Sequence, residues 1–142
     1  MDEKKLSFST FDLTKALEIP RSNLQLYLDK GFIRPSLGAA SGKGTRNRFS
    51  LEDVYRIRLF QRLSEAGLSQ KEAAELANDF DFGEVVTSFD VYLVIPDGHG
   101  ASVGVLCDES QLMRYIQESG HPIFIGIKVG LIVAEVDEKL KG

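Results

Sequence analysis

One cysteine, two histidines and no tryptophan are spread over 142 residues, and no long apolar run interrupts them. Each scarcity excludes something. The single thiol, Cys107, cannot form an intramolecular disulfide. With only His99 and His121 for company, at no short ligand spacing, it cannot build a metal cage either. A reduced, buried cysteine and no metal are therefore expected. No stretch approaches the roughly 20 apolar residues that cross a bilayer, and the opening MDEKKLSFSTFDL lacks a secretory apolar segment. The expected setting is the cytoplasm, without membrane contact. Ser, His and Asp fall into no nucleophilic motif and no paired carboxylates stand out, so no catalytic residues are assigned. Gly38 to Gly44 fails as a phosphate loop, because three residues rather than four precede Gly42-Lys43 and Gly44 replaces the hydroxyl residue. Gly98-His99-Gly100 with Gly104 leads into another strand rather than a helix, so it is no dinucleotide fingerprint, and no cofactor is expected.

What is present is an apolar content of 43%, enough to fill a core, and a charge that is divided along the chain. Residues 1 to 77 hold thirteen Lys and Arg against ten acids, net +3, while 78 to 142 hold four against eleven, net −7, together the overall −4. From Arg21 to Arg62 there are nine basic residues and three acids, Asp29, Glu52 and Asp53. Such a local excess suits a phosphate backbone, although a solvated face would also carry it.

The first half reads as four helices. Ser9 to Asp12, Ser50 to Asp53 and Ser69 to Glu72 each place a capping serine three residues before an acid. Another helix starts at Pro20 and stops at Gly31. Phe11, Leu13, Ala16 and Leu17 mark the first helix (about 10 to 17), and Leu24, Leu28 and Tyr27 turn the second toward the core. Leu51, Val54, Ile57, Phe60 and Leu63 form one stripe on the third, and Ala73, Ala74, Leu76 and Ala77 line the fourth. Between the second and third lies a glycine-rich, basic loop whose flanks, Phe32-Ile33 and Arg48-Phe49, are short enough to pair as a ribbon projecting a wing. After Ala77 the acidic Asn78 to Gly83 breaks the helical pattern. Strands over Val85–Ile95, Ser102–Cys107 and Ile123–Val129 follow, with a turn at Pro96-Asp97-Gly98, a helix over Glu109–Glu118 and a closing helix from Val129 to Leu140.

The second helix follows the first after a very short turn, which leaves Arg21, Ser22, Asn23 and Gln25 as its first exposed side chains. Such residue types at the start of a recognition helix can bond adenine or guanine edges in the major groove, and Tyr27 belongs to the same candidate surface. Lys43, Thr45, Arg46 and Arg48, set among Gly42 and Gly44, can lie close to sugar and phosphate. Arg56, Arg58 and Arg62 crowd the third helix. Phosphate would relieve them, with Arg58 as the candidate contact, and intramolecular pairing with acids would do so equally.

These residues resemble a known family. Asn23-Leu24-Gln25-Leu26-Tyr27 before Gly31-Phe32-Ile33-Arg34-Pro35, Gly44-Thr45-Arg46 with Phe49, Ser50 to Val54, and Leu63 to Ser69 follow the order and spacing of the MerR family of bacterial transcription regulators. The resemblance covers Ser9 to Ala77. It implies a winged helix-turn-helix that binds double-stranded DNA, with RNA polymerase as a further candidate partner. Gln25 stands where that family commonly has Arg and Leu26 where it commonly has an aromatic. The chain also breaks at Asn78, where members usually continue into one long dimerising helix.

The expected architecture is a mainly α winged helix-turn-helix domain over 1–77 followed by a small α+β domain over 84–142 that dimerises or regulates. Val129, Ile132, Val133, Val136 and Leu140 are the candidate homodimer contact, with burial in their own domain as the equal alternative. The expected function is sequence-specific transcription regulation by a homodimer. Two rivals stand beside it: a factor that bends DNA or directs recombination, and a ligand-sensing or protein-binding adaptor whose acidic half does the work.

Overall fold

The computed structural model describes residues 7–39, 46–83, 92–96, 105–118, 120 and 124–141. In chain order these form α1 (Thr10–Ala16), α2 (Arg21–Asp29), α3 (Leu51–Glu65), α4 (Gln70–Asp79), β1 (Tyr92–Pro96), β2 (Val105–Cys107), α5 (Glu109–Glu118), β3 (Phe124–Lys128) and α6 (Val129–Lys141).

The serine caps form as their spacing predicts. Ser9 and Ser50 each accept the N–H of the acid three residues on, and that acid's carboxylate accepts the serine N–H in return. Ser69 accepts from Glu72 N and bonds its carboxylate through the hydroxyl. Pro20 stands one position outside α2 as its N-cap, with ψ 139°, rather than inside the first turn. At the other end Gly31 adopts φ 74°, which lets Gly31 N–H reach Leu28 O at 3.1 Å and Phe32 N–H reach Tyr27 O at 2.9 Å.

That closure corrects the expected ribbon. Phe32 and Ile33 direct their N–H groups back to Tyr27 O, so they are not available to pair with Arg48-Phe49. Arg48 pairs instead with Gly38, and Phe49 exchanges two backbone bonds with Phe8 ahead of α1, at 2.8 and 2.9 Å. Asp53 fastens this region to α3. Its Oδ2, buried with the rest of the side chain, accepts Ser36 Oγ at 2.6 Å, Ser36 N–H at 2.9 Å and Ser50 N–H at 2.8 Å.

Helix α3 is buried on two sides. The expected stripe of Val54, Ile57, Phe60 and Leu63 is buried, with Leu51 partly so, and Tyr55 and Leu59 are buried as well. The second side exists because α6 lies against α3 and α1. Tyr55 Oη donates to Asp137 Oδ1 at 2.7 Å across this contact. Burial first, and then the Asp137 carboxylate, push the Tyr55 phenol well above its ordinary pKa, so it stays a donor. Val129, Ile132, Val133 and Val136 belong to the same apolar cluster as the first-half helices, and Leu140 packs against it. The stripe put forward as a homodimer contact is therefore enclosed by its own chain.

The three strands form an antiparallel sheet in the order β2-β1-β3. The alternation of β1 sends Leu93 and Ile95 into the common cluster, where their partners Ile127 and Ile125 pack beside them; Val94, on the opposite face, is buried too. Helix α5 lies against β1 and β2. Asp108 and Gln111 bond reciprocally at its start, and the N–H of Gln111 holds the Asp108 carboxyl below the usual range. Of the longer expected strands, Val85–Val91, Ser102–Gly104 and Ile123 lie outside the described residues, as do Asp97 and Gly98 of the expected turn. Cys107 is half-buried on β2, and burial raises its thiol pKa.

The turn between α1 and α2 carries one strained residue. Glu18 has φ 55°, a left-handed conformation that costs an L-residue about 1–2 kcal/mol and that glycine adopts freely. Glu18→Gly is expected to raise stability slightly and Glu18→Val to lower it, with a spread of about 2 kcal/mol between them in urea denaturation. Equal stabilities would contradict the strained turn.

Candidate nucleic-acid interface

The short turn and the fixed backbone angle of Pro20 set the direction in which α2 leaves α1. Leu24 is fully buried between the helices, so the opposite side of α2 faces outward by the helical period. Arg21, Ser22, Asn23, Gln25 and Leu26 are all exposed. Unlike α1, α3 and α4, α2 has no side-chain cap and no acid in its first turn, which leaves its leading N–H groups open to an acceptor from outside. Arg21, Ser22 and Asn23 make no side-chain bond among the described residues. Gln25 Nε2 donates to Asp29 Oδ1 at 2.9 Å. Tyr27 is turned the other way: its ring is half-buried and meets Phe60 edge-on at 5.1 Å, so it supports α2 from beneath.

At the bridge between Gly38 and Arg48, Arg46 and Arg48 are exposed, and Arg48 Nη2 donates to Ser7 Oγ at 3.0 Å. Lys43 and Thr45 lie outside the described residues. Lys30, over the Phe32 ring at 5.8 Å, and Arg34 are exposed cations outside the candidate contacts named from the sequence. Together with Lys71 they surround a hollow of about 400 Å³ that Glu75 and Asp79 also line, so its charge is nearly balanced.

The arginines of α3 are placed otherwise than a phosphate contact requires. Arg56 bonds Glu52, Asp53 and the carbonyl of Phe80. Arg58, its side chain only 12% exposed, is held by Glu135 of α6 and by Gln61. Arg62 bonds Glu65 and the other oxygen of Glu135. The crowding of these cations is thus relieved within the chain, and Arg58 joins α3 to α6 instead of facing DNA. Sequence spacing could not reveal the partner, because Glu135 lies 77 residues further on.

Two cations on one carboxylate leave a clear electrostatic signature. The bond from Arg58 first, and that from Arg62, hold Glu135 below the usual carboxylate range against the opposing effect of desolvation. Glu65, followed by Glu135, raises Arg62 in turn.

A tight two-helix turn that presents the outer side of its second helix to solvent, followed by two further helices, defines the helix-turn-helix class of regulatory proteins. The profile of the family described as MerR HTH family regulatory protein matches residues 8–79, and the chain belongs to that family. It is accordingly a DNA-binding transcription regulator. No curated protein matches the chain. Among the described residues, no helix is long and apolar enough to cross a membrane.

Glu135→Gln is expected to cost about 1–2 kcal/mol at neutral pH, between the values for exposed and buried pairs. Because the folded carboxylate has the lower pKa, its stabilisation is complete above the unfolded value of about 4.3 and is lost as pH falls through the folded one. Urea denaturation of both proteins from pH 7 to pH 3 checks this. The two curves should converge at the acid end, and a constant difference would contradict the pairing.

Proposed function

We propose that the chain regulates transcription by binding particular sequences in double-stranded DNA as a homodimer in the cytoplasm. Arg21, Ser22, Asn23 and Gln25 read base edges in the major groove, while Lys43, Thr45, Arg46 and Arg48 form a wing that grips the backbone. The observation that carries this reading is the outer face of α2, which is polar, free of acid in its first turn and uncapped where its neighbours are capped. Open N–H groups at a helix start favour an anion, and Asn, Gln and Arg beside them match base edges. Exposed Leu26 adds an apolar group of the kind that meets a thymine methyl.

Two copies on paired half-sites gain affinity through linkage, which is the reason for the dimer. The contact between copies lies away from the Val129–Leu140 stripe, since that stripe is enclosed within the chain. The acidic second half serves dimerisation or regulation, and its helix α6 keeps α3 in place beneath the reading surface.

Gel shifts on a duplex selected from a random pool test the wing. The double variant Arg46→Ala, Arg48→Ala is expected to weaken binding to all duplexes about equally and to reduce the slope of log K against log salt by about 2. An unchanged slope would remove the wing from the account. Failure of the wild-type chain to enrich any site would remove sequence-specific binding altogether.

A further inference from the structure

Asp29 is the only acid in α2, and on the reading above it is out of place, since a carboxylate on a DNA-reading helix repels phosphate. It sits one turn beyond Gln25, and the two side chains are joined through Gln25 Nε2 and Asp29 Oδ1 at 2.9 Å. We infer that Asp29 is a positioning residue: it fixes which way the Gln25 amide faces and so makes the base opposite Gln25 adenine rather than guanine. The inference rests on the proposal that α2 reads bases.

The chemistry follows from donor and acceptor inventories. A glutamine amide can lie in its plane two ways, with nitrogen and oxygen exchanged, and an unattached side chain uses both. An ionised carboxylate only accepts, so the bond to Asp29 permits only the orientation that turns the NH2 group toward it. One amide hydrogen is then committed to Asp29, and the carbonyl oxygen with the second hydrogen remains for a partner.

Adenine offers an N6 donor and an N7 acceptor in the major groove, which complement that oxygen and that hydrogen in both places. Guanine offers two acceptors, O6 and N7. It would set O6 against the fixed Gln25 oxygen and leave only one hydrogen bond to be made. An untethered amide could turn its NH2 toward either acceptor and tolerate both purines. Holding the side chain therefore builds discrimination by penalising the wrong base as well as favouring the right one. Both residues are exposed, so nothing in the core depends on their bond.

The test is selection of bound duplexes from a random pool by the full chain, in parallel with its Gln25→Ala, Asp29→Ala and Asp29→Glu variants. Thermal melts check that each variant folds. The wild-type site should contain a position where adenine is preferred to guanine by about tenfold. Gln25→Ala and Asp29→Ala should both level that position and leave the other positions selected, while Asp29→Glu, which keeps an acceptor-only partner in reach, should retain the preference. If Gln25→Ala levels a position that Asp29→Ala leaves intact, the inference is overturned and the base-reading helix stands. Positioning by Asp29 is likewise overturned if Asp29→Ala levels every position, if Asp29→Glu fails to retain the preference, or if the position affected by Gln25 prefers guanine. If the wild-type chain selects no position, or Gln25→Ala changes none, the reading by Gln25 fails together with the inference.

Discussion

Helix α3 is seated between α4 on one side and α6 on the other, and the two halves of the chain meet there. A helix with one apolar stripe needs one neighbour, but α3 also buries Tyr55 and Leu59 on a second side and carries two arginines along its edge. Helix α6 answers all of these with Val129, Ile132, Val133 and Val136, the Asp137 carboxylate for Tyr55, and Glu135 for Arg58 and Arg62. The partner lies about half a chain away in sequence, so the acidic half supports the basic half's fold as well as adding its own sheet. Core residues 93, 95 and 129 to 136 share one cluster with those of residues 8 to 82.

This dependence decides which cations can meet DNA. Arg56, Arg58 and Arg62 are the densest basic group in the chain, yet each has an intramolecular partner and two of them are fastened to α6. Exposed beside them are Arg21 on α2, with Ser22, Asn23 and Gln25, then Lys30 and Arg34 after it, and Arg46 and Arg48 at the bridge between Gly38 and Arg48. Asp53, buried and accepting from both Ser36 and Ser50, ties the segment before the Gly38–Arg48 bridge to the start of α3, and the Tyr27 ring on Phe60 seats α2 on the same helix. A reading surface gains from such rigidity, because groups held in place lose less entropy on binding.

Local chemistry was the part of this fold that could be read from the residues. The serine caps, the glycine stop at Gly31 and the helical period locate α1 to α4 within a residue or two, and the family motifs follow their order. Long-range pairing was not legible. Phe8 rather than Phe32-Ile33 completes the ribbon, because the Gly31 turn claims the latter's N–H groups, and no local pattern announces Phe8 as a partner. The stripe on α6 signals an apolar face but not what covers it; here its own chain does. Tyr55 and Leu59 fall off the three-residue period of the main stripe, and Tyr55 is held by partners remote in sequence, the Phe82 ring and the Asp137 carboxylate of α6. Tyr27 carries both readings in the sequence, and the Phe60 contact places its ring on the inner side.

On the proposed reading, duplex DNA lies across the outer face of α2 and the Gly38–Arg48 bridge while the α3–α6 seat stays closed. Amide hydrogen exchange of the full chain, with and without a short duplex carrying its selected site, shows which backbone groups the duplex covers. Added protection is expected over residues 21–25 and 46–48, with exchange unchanged over 55–62 and 129–137. Protection confined to α5 or α6, or loss of protection along α3 and α6 when DNA binds, would contradict it.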